Sequence, residues 1–119
     1  MFSIFKSKKP KWYKVFDTLE EAEKVVAVNK AVTVQIEQDK ICLARTAKGF
    51  FAVQDTCPHL GVSLSKGVCN NFNEVVCPWH GWRFDLEKGH ETSGQGKGAG
   101  VVTYPVKVDD EGLSIGVYV

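Results

Sequence analysis

Val32-Thr33-Val34-Gln35-Ile36 places apolar residues at every second position, the period of a half-buried strand. Polar Gln38-Asp39-Lys40 then turns the chain into Ile41-Cys42-Leu43-Ala44-Arg45, and Lys48-Gly49 turns it again into Phe50-Phe51-Ala52-Val53. Short alternating runs joined by polar turns predict an antiparallel meander. Upstream, Val25-Val26-Ala27-Val28 reads as another strand ahead of an Asn29-Lys30 turn, and Trp12 to Phe16 as a further aromatic-rich strand. Between them Thr18-Leu19-Glu20-Glu21 has the spacing of a capping box and predicts a short helical turn. Downstream, Val101-Val102-Thr103-Tyr104, Pro105, Val106-Lys107-Val108, a turn at 109–112 and then Leu113 to Val119 repeat the pattern. The expected fold is all-β, built from stacked antiparallel sheets.

The remaining composition narrows the function. A length of 119 residues suits one domain, and 44% hydrophobic with 24% charged residues suits a globular one. Lys+Arg 15 against Asp+Glu 14 gives a net charge of +1, without the basic excess of a general polyanion binder, so no nucleic-acid partner is expected. No run approaches the ~20 apolar residues of a membrane span, and the first residues lack the apolar core of a secretory signal, so a cytoplasmic location is expected. Residues 1–11, with Lys6, Lys8, Lys9 and Lys11, read as a solvated, mobile basic tail preceding a domain over 12–119.

Between the first meander and the last hairpin the pattern changes. Cys57-Pro58-His59-Leu60-Gly61 is followed, after seventeen residues between His59 and Cys77, by Cys77-Pro78-Trp79-His80-Gly81-Trp82. Each box offers one Cys and one His, with Pro after the Cys and Gly soon after the His. Two thiolates and two imidazoles make a four-ligand set for a soft metal, and three chemistries compete. Structural zinc accepts Cys2His2, although its usual knuckles pair Cys with Cys and His with His. An all-thiolate iron–sulfur cluster would also need Cys42 and Cys69, which lack the company of a ligand loop and read as small buried thiols. A 2Fe–2S cluster with two His on one iron and two Cys on the other is the third. Two disulfides are the remaining use of four cysteines, disfavoured inside the cell.

These two boxes resemble the cluster-binding boxes of Rieske proteins. The run Arg83-Phe84-Asp85-Leu86-Glu87-Lys88-Gly89 and the strand order before Cys57 resemble the soluble Rieske ferredoxins, so the likeness covers Trp12 to Val119. It implies a Rieske-like sandwich with a small inserted lobe over about 57–84, both boxes at its tip and the imidazoles toward solvent. One 2Fe–2S cluster would be held by Cys57, His59, Cys77 and His80. Pro58 and Pro78 would stiffen the loops. Gly61 and Gly81 would let backbone approach closely enough for their amides to reach sulfur. Leu60, Trp79 and Trp82 would shield the centre, with ordinary core packing as the plainer reading of the two indoles.

The resemblance also bears on redox chemistry. Two ferric ions, two sulfides and two thiolates sum to zero charge when both imidazoles are neutral, so an electron enters more readily than into a four-thiolate cluster, in line with a Rieske range of roughly −150 to +300 mV. The high-potential branch of the family has an extra Cys in each box and a Ser and a Tyr after the second. Val62, Trp79, Trp82 and Phe84 stand at those positions here, so neither the disulfide nor the hydroxyl donors can form. A low potential is expected. A neutral imidazole bound to iron would couple electron uptake to proton uptake at high pH.

The function so implied is a soluble one-electron carrier between a flavin-containing reductase and a terminal oxygenase or other oxidoreductase, contacted near the cluster tip. The small subunit of an assimilatory nitrite reductase is the enzyme-subunit alternative, and a zinc-stapled binding module the non-redox one. An oxygenase large subunit would need a further 2-His-1-carboxylate iron site and a much longer chain, and is not expected. His90 reads as a solvent-facing turn residue. Gly94-Gln95-Gly96-Lys97-Gly98-Ala99-Gly100 has four glycines in seven residues and reads as a loop, either a plain connection or a third loop beside the cluster. It lacks the ending and context of a phosphate loop.

Overall fold

The computed structural model describes residues 9–59, 61–96 and 98–118. Ten strands form three antiparallel sheets. β1 (Pro10–Phe16), β10 (Gly112–Tyr118) and β9 (Val106–Asp109) make the first sheet, in that order. The second runs β2 (Lys30–Ile36), β3 (Asp39–Thr46), β4 (Gly49–Gln54) and β8 (Thr103–Tyr104). The third is the lobe: β5 (Val68–Cys69), β6 (Glu74–Val76) and β7 (Arg83–Asp85).

The quoted meander forms in the expected register, Thr33 opposite Cys42 and Cys42 opposite Val53. Its middle strand is buried on both sides, and period two divides its residues between two cores. Ile41 and Leu43 join Ala52 and, from the first sheet, Leu113, Ile115 and Val117. Cys42 and Ala44 face the other way and join Val53 with Leu64, Val75, Phe84 and Leu86, and with Cys57 and Cys77 themselves. The two boxes are therefore rooted in the central sheet's second core.

The segment at Val25–Val28 corrects the sequence reading. It is not a strand. α1 (Leu19–Val25) ends on the segment's first residue, and Val26 to Val28 cap and turn out of the helix, whose N-terminus is capped by Thr18, its Oγ1 accepting from the Glu21 amide at 3.0 Å. The Glu21 carboxylate in turn accepts from the Asp17 amide at 3.3 Å. A good cap followed by Glu, Ala and Lys outweighs the β-branched pair at the end of the run. Arg45 then ties the helix to β3, donating from Nη1 to the carbonyls of Glu23 and Val26 at 3.2 and 3.0 Å. The second adjustment concerns the tail: pairing begins at Pro10, opposite Tyr118, and Lys11 lies opposite Val117. Proline is tolerated there because it starts an edge strand. The rest of the expected tail, residues 1–8, lies outside the described residues. No helix among the described residues is long and apolar enough to cross a membrane.

Replacing Thr18 with Ala removes the cap and should lower the unfolding free energy by about 1 kcal/mol. Denaturant melts measure it; a change near zero would mean that packing of Ala22 and Val26 alone holds α1.

Candidate metal centre

Box 1 starts where β4 ends. Asp55, 1% exposed, accepts from Ser63 Oγ at 2.5 Å and from the Ser65 amide at 2.9 Å, so its carboxylate ties the entrance of the loop to its exit. Within that tie the Cys57 amide donates to the Val62 carbonyl at 2.8 Å, and the Gly61 amide to the Cys57 carbonyl at 2.9 Å. Box 2 links β6 to β7 and closes similarly, the Cys77 amide donating to the Trp82 carbonyl at 2.7 Å. His80 and Gly81 turn that loop in the left-handed region, at φ 66° and 71°.

The Gly61 amide is spent on closing its own loop. A Cβ at Gly61 or Gly81 would meet no other heavy atom of the chain within 4 Å, and both glycines stand at positive φ, 74° and 71°. The Trp79 amide donates to the Cys77 sulfur.

Cys57 and Cys77 are 0% and 1% exposed, and their side chains are hydrogen-bond neighbours. Burial pushes the Cys77 thiol up to about 11; the Trp79 amide opposes this, and the adjacent Cys57 adds to it. All four cysteines are free, and Cys42 and Cys69 are buried with raised thiols, chiefly through desolvation. This agrees with their reading as core thiols.

The histidines lie outward of the sulfurs. His80 is exposed and His59 half-buried, their ring centroids 5.4 Å apart. Trp79 reaches further into solvent at 55% exposure, and Pro78 is exposed beside it. Trp82 takes a different role. Its indole stacks on His59, centroids 4.2 Å apart and planes 3° from parallel. Leu60 lies outside the described residues.

Two observations test the fit of a metal group. His59 Nδ1 is buried without a hydrogen-bond partner, an unsatisfied nitrogen that a metal bond would satisfy. Among the described residues no three His, Cys, Asp or Glu side chains converge closely enough to hold a single metal ion. The four box residues form a buried sulfur pair and, outward of it, an imidazole pair, donors of the two kinds that a mixed nitrogen–sulfur metal group takes.

The glycine loop reaches this site. Gly96 packs against Trp82 so tightly that a Cβ there would lie 2.2 Å from the indole Cζ3. Its anchor is Glu91, a residue with no obvious motif around it. Burial works to raise the Glu91 carboxyl, but hydrogen bonds from the Ser93 hydroxyl and the amides of Arg83, Ser93 and Gly96 prevail and hold it at about 2. His90 is exposed, as expected, and also forms an isolated bridge with Gly100. The lobe's last strand, β7, runs to Asp85, and Phe84 bridges Glu91.

The Rieske [2Fe-2S] domain family matches residues 11–105. The chain is 37% identical over 79 residues to the terminal oxygenase component of carbazole 1,9a-dioxygenase from a Sphingomonas species, covering 66% of this chain and 20% of that protein. It therefore spans about one fifth of that relative's length. Among solved structures, the ferredoxin of carbazole 1,9a-dioxygenase from Nocardioides aromaticivorans superposes with a TM-score of 0.76 at 23% identity, over 90% of this chain and 97% of that one. A putative NADH-dependent nitrite reductase small subunit from Mycobacterium tuberculosis gives 0.75 at 20% identity, over 90% and 95%.

The depressed Glu91 carboxyl sets a pH signature. Its contribution to stability is complete above about pH 4.5 and is lost as pH falls from there through about 2. Thermal melts of wild type and Glu91→Gln should diverge most at neutral pH and converge on acidification through that window. A constant difference would place the effect elsewhere.

Proposed function

The chain belongs to the Rieske [2Fe-2S] domain family, and we propose that it is a one-electron carrier whose cluster is held by Cys57 and Cys77 on the inner iron and His59 and His80 on the outer. The bound cluster supplies a reversible one-electron couple; no substrate bond is made or broken by this chain. The observation that carries the reading is the layering of the site: thiols in the core, imidazoles at the tip, and Trp79 beyond them.

Each part of the protein contributes to transfer in its own way. The second core holds the sulfur pair rigid, which limits reorganisation when charge changes. Trp82 covers one imidazole while His80 remains accessible, so the redox centre is partly dry yet within reach of a docked protein. Exposed Trp79 and Pro78 provide a small apolar contact, suited to the brief, limited interfaces of redox partners. The partners proposed are a flavin-containing reductase as donor and a terminal oxygenase as acceptor. The fold of the carbazole dioxygenase ferredoxin and the identity to an oxygenase component support this pairing. A role as the small subunit of a nitrite reductase is supported by a nearly equal superposition. The zinc-stapled module is disfavoured by the match to the Rieske [2Fe-2S] domain family. Without hydroxyl donors at Trp82 and Phe84, the potential is proposed to lie in the lower part of the Rieske range.

Electron paramagnetic resonance and visible spectra of the purified protein test the reading. The reduced protein should give the signal of a mixed nitrogen–sulfur cluster, and His59→Ala or His80→Ala should abolish it. A colourless zinc-containing protein, or an unchanged spectrum in both variants, would overturn it. Stopped-flow reoxidation by a Rieske oxygenase and by a nitrite reductase large subunit separates the two acceptors, and Trp79→Ala should slow the productive one about tenfold by loss of an interface anchor.

A further inference from the structure

Glu91 lies outside both boxes, yet its carboxylate gathers the backbone on either side of Trp82. Oε2 accepts from the Arg83 amide at 3.0 Å, the Ser93 amide at 3.0 Å and the Ser93 hydroxyl at 2.5 Å. Oε1 accepts from the amides of Gly94 and Gly96, both at 3.1 Å. Arg83 follows Trp82 in the chain, and Gly96 presses on the benzo edge of its indole. A second strap runs beside the first: the Thr92 amide donates to the Arg83 carbonyl at 2.8 Å. The indole so confined is the one lying parallel to His59 at 4.2 Å.

We infer that Glu91 is a positioning residue for the metal centre, fixing the glycine loop against Trp82 and through the indole setting the plane and solvent cover of the His59 imidazole. This rests on the proposal that His59 is a ligand. Five donors around one carboxylate exceed what joining β7 to β8 requires. Four of them are backbone amides, so the geometry depends on the acceptor's charge rather than on the identity of its neighbours. Gly96 is the matching part: its lack of a side chain is what admits the indole. A looser indole would let water approach the outer ligand. Water stabilises the extra negative charge of the reduced state, so the potential should rise, and the ligand bond should become easier to lose.

The test uses the holoprotein and two variants that attack the strap from opposite ends. Glu91→Gln keeps the shape and removes the charge; Gly96→Ala drives a Cβ into the indole. Both should shift the midpoint potential upward, shorten the half-life of the cluster's visible absorption against a chelator about tenfold or more, and alter the near-ultraviolet circular dichroism of tryptophan. Leu113→Ala, in the other core, serves as the control for mere destabilisation. It should lower the melting temperature while leaving the potential in place. Wild-type potential and half-life in Glu91→Gln, or changes no larger than those of Leu113→Ala at equal loss of melting temperature, would overturn the inference; if Gly96→Ala does not fold, Glu91→Gln decides alone. Failure of the ligand assignment is seen separately, in the wild-type spectrum and in His59→Ala.

Discussion

The site depends on one constraint: β3 is buried on both faces. A strand with that placement must supply small or branched apolar side chains in both directions, and Ile41, Cys42, Leu43 and Ala44 do so without a polar interruption. One face is closed by β10 and α1. The other is closed by the lobe, and the lobe seals it with the two box cysteines, Leu64, Val75 and Phe84. Burial of the thiols is thus part of the fold's own packing. Removing the lobe would expose one whole face of the central sheet, and misplacing it would pull Cys57 from Cys77.

From this root the loops acquire their directions. Each box leaves the core at its cysteine and returns within a few residues through a backbone bond made by that cysteine's own amide, to Val62 in one case and Trp82 in the other. The residues in between are left to face outward, and these include the histidines. Layering of sulfur inside and nitrogen outside follows from short loops anchored at their first residue. Two carboxylates reinforce them from below and from the side, Asp55 across the mouth of box 1 and Glu91 beside box 2. Both act by collecting backbone amides and hydroxyls, which fixes loop shape independently of any metal.

How much of this was legible varied with the range of the interactions. Period two marks β2, and continuous apolar runs bounded by polar turns mark β3 and β4, because strands packed on both faces need apolar side chains in both directions. The boxes stood out because Cys, Pro, His and Gly rarely fall together by chance. Val25–Val28 misled, since branched residues favour strands in general while the Thr18 cap and the Arg45 contacts act on this stretch in particular. The positive φ of the box glycines depends on the loop's path, which spacing does not reveal. Glu91 was invisible for a similar cause. Its partners are mostly backbone amides, and backbone carries no sequence signature; the one hint was a carboxylate followed by Thr92-Ser93-Gly94, small residues able to wrap it. Asp55 gave the same faint hint through Ser63 and Ser65.

The second tryptophan shows why composition alone underdetermines such a site. Trp79 and Trp82 sit three residues apart and both read as shielding or core. The structure separates them by role, because the chain between them turns through two left-handed residues. That turn sends Trp79 to solvent and brings Trp82 back over His59. On the proposed reading, an indole at the first position provides contact area for a partner, and one at the second covers the His59 imidazole and carries no hydroxyl. Both choices would favour the proposed low-potential centre, giving up its electron readily to a protein docked at the tip. The low potential and the docking edge proposed for this centre would then be two consequences of one loop geometry, and substitutions at the turn should disturb them together.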